Sequence, residues 1–134
     1  MSVSVSIVDG ALKPVASGER DARAGAVVCF EGVVRPDEDG RTIEALHYQT
    51  YEPMVQTMLR EIAADVLKKH GLVSITVDHS RGRVVVGEVS FRLIVEAGHR
   101  KPALAAMDEF IDRLKKDVPI WKRAVWAGES GGSR

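Results

Sequence analysis

The sequence predicts an α+β domain in which a mixed or antiparallel sheet packs with two long helices. Three observations carry that expectation. Apolar residues recur at the helical period over residues 53–71 and 102–117, while the stretches between them alternate or run apolar and β-branched, as strands do. Helices and strands also succeed one another irregularly, unlike the regular βαβ order of a doubly wound parallel sheet. At 134 residues the chain is expected to form one domain over 1–134, with 127–134 a disordered end.

Taken in order, Val3, Val5 and Ile7 alternate with serines, which is the period of a half-buried strand, and Asp9-Gly10 turns the chain. Residues 14–23 are expected to form a short helix. Residues 25–34 carry the strongest strand signal, apolar or β-branched at nearly every position, and read as a central strand buried on both faces. That strand delivers Val34-Arg35 to a polar loop at 36–40, a place where ligand contacts are common. Residues 43–51 continue as a strand. From Pro53 onward, Val55, Leu59, Ile62, Ala63 and Val66 form one helical stripe closed by Gly71. Met54 and Met58, at helical spacing in the same stripe, read as core filler and not as a soft-metal pair.

Leu72, Ile75 and Val77 lead a further strand to Asp78-His79, after which residues 80–83 read as a turn, 84–86 as a short apolar stretch and 88–97 as a strand. Pro102 suits the first turn of a second helix, whose stripe runs through Ala103, Met107, Phe110, Ile111 and Leu114. Pro119 ends it, and residues 120–123 form a short strand.

Composition narrows the function classes. Lys plus Arg equals Asp plus Glu at 19 each, so the overall charge does not indicate nucleic-acid binding, and an anion site has to be a local concentration of bases. The single cysteine, Cys29, excludes an intrachain disulfide framework and fits a reducing compartment. No long apolar run and no leader-like segment is present, so the chain is expected to be cytoplasmic and free of the membrane. His47, His70, His79 and His99 have no ligand-like spacing, so no metal site is expected. Cys29 lies in the most apolar strand and reads as inert packing.

What remains is a cationic set: Arg35, His99, Arg100, Lys115, Lys122 and Arg123. His99 and Arg100 open the second helix, where orphan N–H groups and the positive end of the dipole suit a phosphate. Lys115 sits near the other end. Sixteen residues at the helical rise separate His99 from Lys115 by about 24 Å, too far for one small-molecule site in one chain. Either there are two sites, or a twofold dimer brings the start of one helix to the end of its mate's.

The chain resembles the catalytic large subunit of molybdopterin synthase. The resemblance rests on Phe30, Gly32, Val34-Arg35, Leu46, Tyr48, Tyr51 and Met54, then on His79 with Gly82, Gly87-Glu88, His99-Arg100, Ile111-Asp112, Leu114-Lys115 and Pro119-Ile120-Trp121-Lys122, and it spans about residues 25–126. It implies an α/β hammerhead-type fold and a homodimer flanked by two small ubiquitin-like sulfur-carrier subunits, together a heterotetramer. It further implies transfer of sulfur from the carrier's C-terminal thiocarboxylate to cyclic pyranopterin monophosphate, with no bound cofactor. Lys115 and Lys122 match the family's catalytic lysines. Arg35, His99 and Arg100 match substrate-binding positions, and Val34 and Arg123 are expected to bind substrate with them. Two departures stand out: Ser80, with Arg81 after it, where the family usually has arginine, and Ala124 where an acidic residue is common, followed by a shortened loop before Trp126. Ala124 and the short loop motivate an alternative reading, a non-catalytic dimeric scaffold that holds the carrier tail or an anionic pterin.

Overall fold

A computed structural model describes residues 1–15 and 21–128. In chain order its elements are β1 (Ser2–Asp9), β2 (Ala26–Val33), β3 (Asp37–Glu38), β4 (Arg41–Thr50), α1 (Met54–His70), β5 (Ser74–Val85), β6 (Val89–Ala97), α2 (Arg100–Asp117) and β7 (Ile120–Trp126). The α+β class with two long helices is as the sequence predicts. No helix among the described residues is long and apolar enough to cross a membrane. Half of the short helix expected over 14–23, residues 16–20, lies outside the described residues, and 14–15 and 21–23 are not helical; positions 129–134 of the expected tail also lie outside them.

Strands run in the order β2-β6-β5-β4-β3, with β1 added on β5 and β7 on β4. Among the described residues only the β1–β5 pairing is parallel (Ser2↔Ser74 through Asp9↔Arg81), and the other pairings are antiparallel. Both helices cover the β1, β5, β6 and β2 portion. Their stripes, Val55, Leu59, Ile62 and Val66 from α1 and Ala103, Met107, Phe110 and Leu114 from α2, close on Ile75, Val77, Leu93 and Val95 of the sheet. Each large apolar side chain removed from water there contributes about 1.5–3 kcal/mol. A smaller cluster of Val34, Ile43, Leu46 and Val84 lies under the β4 and β7 strands. Gly71 adopts the left-handed conformation and sends its N–H to the carbonyls of Leu67 and Lys68, which ends α1 as expected.

Four readings need correction. The apolar stretch at 25–34 is not a central strand: β2 lies at the edge of the sheet, paired only with β6, and Cys29, Phe30 and Val33 are exposed. Cys29 is therefore not buried packing, although partial burial and nearby Glu31 push its thiol up, so it stays protonated. Met54 also stands exposed at the start of α1, while Met58 packs against the core.

The fourth concerns residues 80–83, which do not turn. They lie inside β5, which passes through Gly82 at φ +87° and exchanges its partners there: Ser74 to His79 pair with β6, and Gly82 to Val85 pair with β4. The polar groups that suggested a turn are satisfied locally. Ser80 is fully buried and its Oγ donates to the Gly10 carbonyl at 2.7 Å, which leaves no room for an arginine. Arg81 points outward to Asp9 at 2.6 Å and to Glu52, so it does not replace that arginine at the pocket.

Candidate functional site

A cavity of about 570 Å³ opens where α2 ends beside the β2, β4 and β7 strands. Each of its cations arrives by a separate local device. Val34 is buried and fixed by two backbone bonds, its N–H to the Glu88 carbonyl at 3.0 Å and its carbonyl from the Gly87 N–H at 2.9 Å, so Arg35 emerges from an anchored point. Lys115 occupies the last turn of α2, one residue past buried Leu114. Lys122 lies on β7 opposite Tyr48 of β4. The structure thus brings Val34, Arg35, Lys115 and Lys122 to one cavity.

Lys122 has a carboxylate nearby, with its Nζ 3.8 Å from Glu38 Oε2. Arg35 and Lys115 have no carboxylate within ion-pair distance among the described residues. A pocket that gathers unneutralised cations is poised for an anionic ligand.

The other predicted residues lie elsewhere. His99 caps α2 in an extended conformation, without a side-chain cap and with no acidic residue in the first turn, so the helix presents free N–H groups beside His99 and Arg100. These two line a separate depression with Gly25, Gly98 and Pro102. The 18-residue helix, about 27 Å long, holds that depression apart from the lysine pocket. Arg123 lines neither; successive strand residues face opposite sides, and it sits opposite His47 while Lys122 faces the cavity.

Sequence reasoning gave no role to the cavity's aromatic floor. Tyr48, His79, Phe91 and Phe30 form a chain of rings, with centroid separations of 5.2, 5.8 and 6.0 Å along it. Tyr48 shares a hydrogen bond with Ser90 Oγ at 2.9 Å; burial, opposed by that bond and reinforced by Glu38, pushes its phenol up, so it remains protonated. His79 is 6% exposed, and its Nδ1 lies 2.7 Å from the Ser80 carbonyl. Burial pushes its pKa down, against the pull of that hydrogen bond, which keeps the ring neutral at pH 7. Aromatic residues at strand period read as core from the sequence alone, and only the pairing of β4, β5 and β6 shows that these rings face a cavity.

Fold and site together define an α+β domain with a cation-rimmed, aromatic-floored pocket at one end of a helix and a second basic depression at the other. A family model described as MoaE protein matches residues 7–117, and the chain belongs to that family. Among relatives named molybdopterin synthase catalytic subunit, that of Nostoc sp. is 36% identical over 126 residues, covering 93% of this chain and 76% of the relative. That of Bacillus subtilis is 38% identical over 103 residues, covering 77% and 66%. The chain spans only 58% of a third such relative, from Sclerotinia sclerotiorum, at 36% identity and 84% coverage of its own length. Two solved structures agree in fold. The molybdopterin synthase of Staphylococcus aureus gives a TM-score of 0.79 at 30% identity, covering 91% of this chain and 90% of that one. A complex of subunits 1 and 2 of molybdopterin-converting factor from Helicobacter pylori gives 0.70 at 29% identity, covering 94% and 91%.

Proposed function

We propose that this chain is the catalytic subunit of a molybdopterin synthase, a sulfurtransferase that converts cyclic pyranopterin monophosphate to molybdopterin with sulfur from the C-terminal thiocarboxylate of a small carrier subunit. The observation that carries the reading is the convergence of Arg35, Lys115 and Lys122 on one pocket above an aromatic floor, with two of the three cations lacking a carboxylate among the described residues. Such a rim suits a phosphorylated heterocycle, and the floor suits its ring system.

Acyl transfer from the thiocarboxylate passes through an oxyanion, which fixed cations stabilise more in the transition state than in the ground state. Lys115 is the principal catalytic group in this reading, and Lys122 assists by charge or proton transfer. Arg35 holds the phosphate from within the chain, beside the Val34 backbone. His99 and Arg100 reach the same phosphate from the mate of a twofold dimer, because the length of α2 keeps them from their own chain's pocket. A carrier on each side of that dimer makes a heterotetramer. The H. pylori neighbour is titled a complex of two subunits, which supports a small partner here.

Single-turnover conversion of cyclic pyranopterin monophosphate, with a thiocarboxylated carrier, tests the reading. Wild type should form the dithiolene product, and Lys115→Ala should lose at least about 100-fold in rate, the usual contribution of a positioned proton-transfer or electrostatic group. Near-normal turnover by Lys115→Ala would remove that lysine from the chemistry. Carrier binding without product from wild type would favour the scaffold reading, which Ala124, on the same strand as Lys122, and the shortened loop motivate.

A further inference from the structure

We infer that His79 is a specificity-determining residue of the pocket, whose Nε2 accepts a hydrogen bond from a ring N–H of the pterin. The inference rests on the proposed function for the identity of the ligand and on the geometry of the floor for the contact.

The tautomer is fixed by a neighbour that has no proton to give. Nδ1 lies 2.7 Å from the Ser80 carbonyl oxygen, which can only accept, so Nδ1 carries the hydrogen and donates it. Nε2 of the neutral ring is left with a bare lone pair. Among the described residues it has no hydrogen-bond partner. Nor is it sealed inside the protein. The one enclosed side-chain polar atom without a partner among those residues is Glu44 Oε1, so Nε2 must be open, and the space bordering the His79 ring is the cavity. An acceptor on a ring that is otherwise more than nine-tenths buried is aimed at whatever fills that space.

The rest of the lining gives this acceptor its meaning. Arg35, Lys115 and Lys122 offer only donors, which suit a phosphate. Tyr48 hydroxyl is engaged with Ser90 Oγ, and Glu38 lies beside Lys122 at the rim. Asp37 and Glu38 are the carboxylates of the lining, and on the aromatic floor His79 adds a neutral acceptor set in a row of ring faces. A reduced pterin is a fused heterocycle with a planar pyrimidine ring and ring N–H donors, and it complements that floor, while a phosphorylated sugar without ring N–H groups does not. A site built to hydrogen-bond a substrate N–H discriminates strongly against analogues that lack it, because the buried partner is then left unpaired.

The test uses the full chain with ¹⁵N-labelled histidine. Adding cyclic pyranopterin monophosphate should move the His79 Nε2 resonance upfield, as an unprotonated nitrogen does on accepting a hydrogen bond, and inorganic phosphate should leave it in place. Alongside, His79→Phe should weaken pterin binding by about 10-fold or more and His79→Gln, which can place an amide oxygen near the Nε2 position, should stay within about threefold of wild type. Affinity for inorganic phosphate should be unchanged in both. Pterin binding with a stationary Nε2 signal overturns the inference and leaves the proposed function standing. An equal shift with inorganic phosphate also overturns it. Failure of wild type to bind the pterin at all removes both. Should His79→Phe fail to fold, the resonance of the wild-type protein still decides.

Discussion

Gly25 and Gly98 face one another just beyond the last β2–β6 pair, Ala26↔Ala97, and adding one methyl to each should have opposite effects. A Cβ on Gly25 would lie 2.2 Å from the Gly98 carbonyl oxygen and 3.2 Å from its carbonyl carbon, so backbone has to move. A Cβ on Gly98 meets nothing within 4 Å. Neither glycine has a positive φ, so conformational strain does not separate them. Gly98→Ala should then stabilise by about 0.4–1 kcal/mol through the unfolded chain, whereas Gly25→Ala should cost about 2 kcal/mol by overpacking. For a domain of 134 residues, 1 kcal/mol moves Tm by about 3–4 °C. Calorimetry at equal protein concentration should therefore place Gly25→Ala about 7 °C below wild type and Gly98→Ala about 1–3 °C above it. Because Gly98 precedes His99, the Gly25 variant should also bind phosphate compounds more weakly. Shifts of the same sign for the two variants would refute the reasoning.

Phe110, fully buried between the helices and the sheet, should cost about 3–5 kcal/mol on truncation to alanine, measured by urea unfolding. Hydrogen bonds from His70 and Lys69 hold the Glu109 carboxyl down to about 2, below its value of 4.5 in the unfolded chain. A carboxyl lowered on folding stabilises above its unfolded pKa and loses that contribution as pH falls toward the folded one, so Glu109→Gln should remove about 1 kcal/mol at pH 7 and flatten the stability profile between pH 4.5 and 2. Subunit mixing tests the shared pocket. His99→Ala and Lys115→Ala are each expected to be inactive, yet co-refolded they should recover about a quarter of wild-type turnover, since half of randomly paired dimers are hybrids with one intact site of two. No recovery would confine both groups to one chain.

Both helices were legible because burial on one side imposes a 3.6-residue period, and α1 and α2 begin and end close to where Pro53, Gly71, Pro102 and Pro119 suggest. The misplacement of β2 has a physical cause. A run such as Ala26-Val27-Val28-Cys29-Phe30 is equally consistent with a strand flanked on both sides and with an edge strand whose outer groups stay exposed, and only the pairing decides. The continuity of β5 was hidden because Ser80, Arg81 and Gly82 are turn-forming types, and their partners Gly10, Asp9 and Glu52 are remote in sequence. In the pocket, Arg35, Lys115 and Lys122 announced themselves by charge. His79 reads in the sequence as a histidine without ligand-like spacing and as part of the family motif with Gly82, and nothing in either tells that its second ring nitrogen opens onto a cavity.

The exchange of partners along β5 sets the width of the pocket. Tyr48 lies on β4, which pairs with β5 from Gly82 onward, and Lys122 on β7, which β4 carries, whereas His79 lies on the other limb of β5, and Ser90 and Phe91 on β6, which pairs with that limb. The pocket is thus a pair of jaws with one glycine at the pivot, and its gap is governed by an angle as much as by the groups on its faces. A different backbone twist at residue 82 would change that gap with every contact group retained. Relatives that keep the same cations and rings can on this account differ in the bulk of the molecule they grip, and a designer seeking to retune that grip has a handle that alters no group lining the pocket.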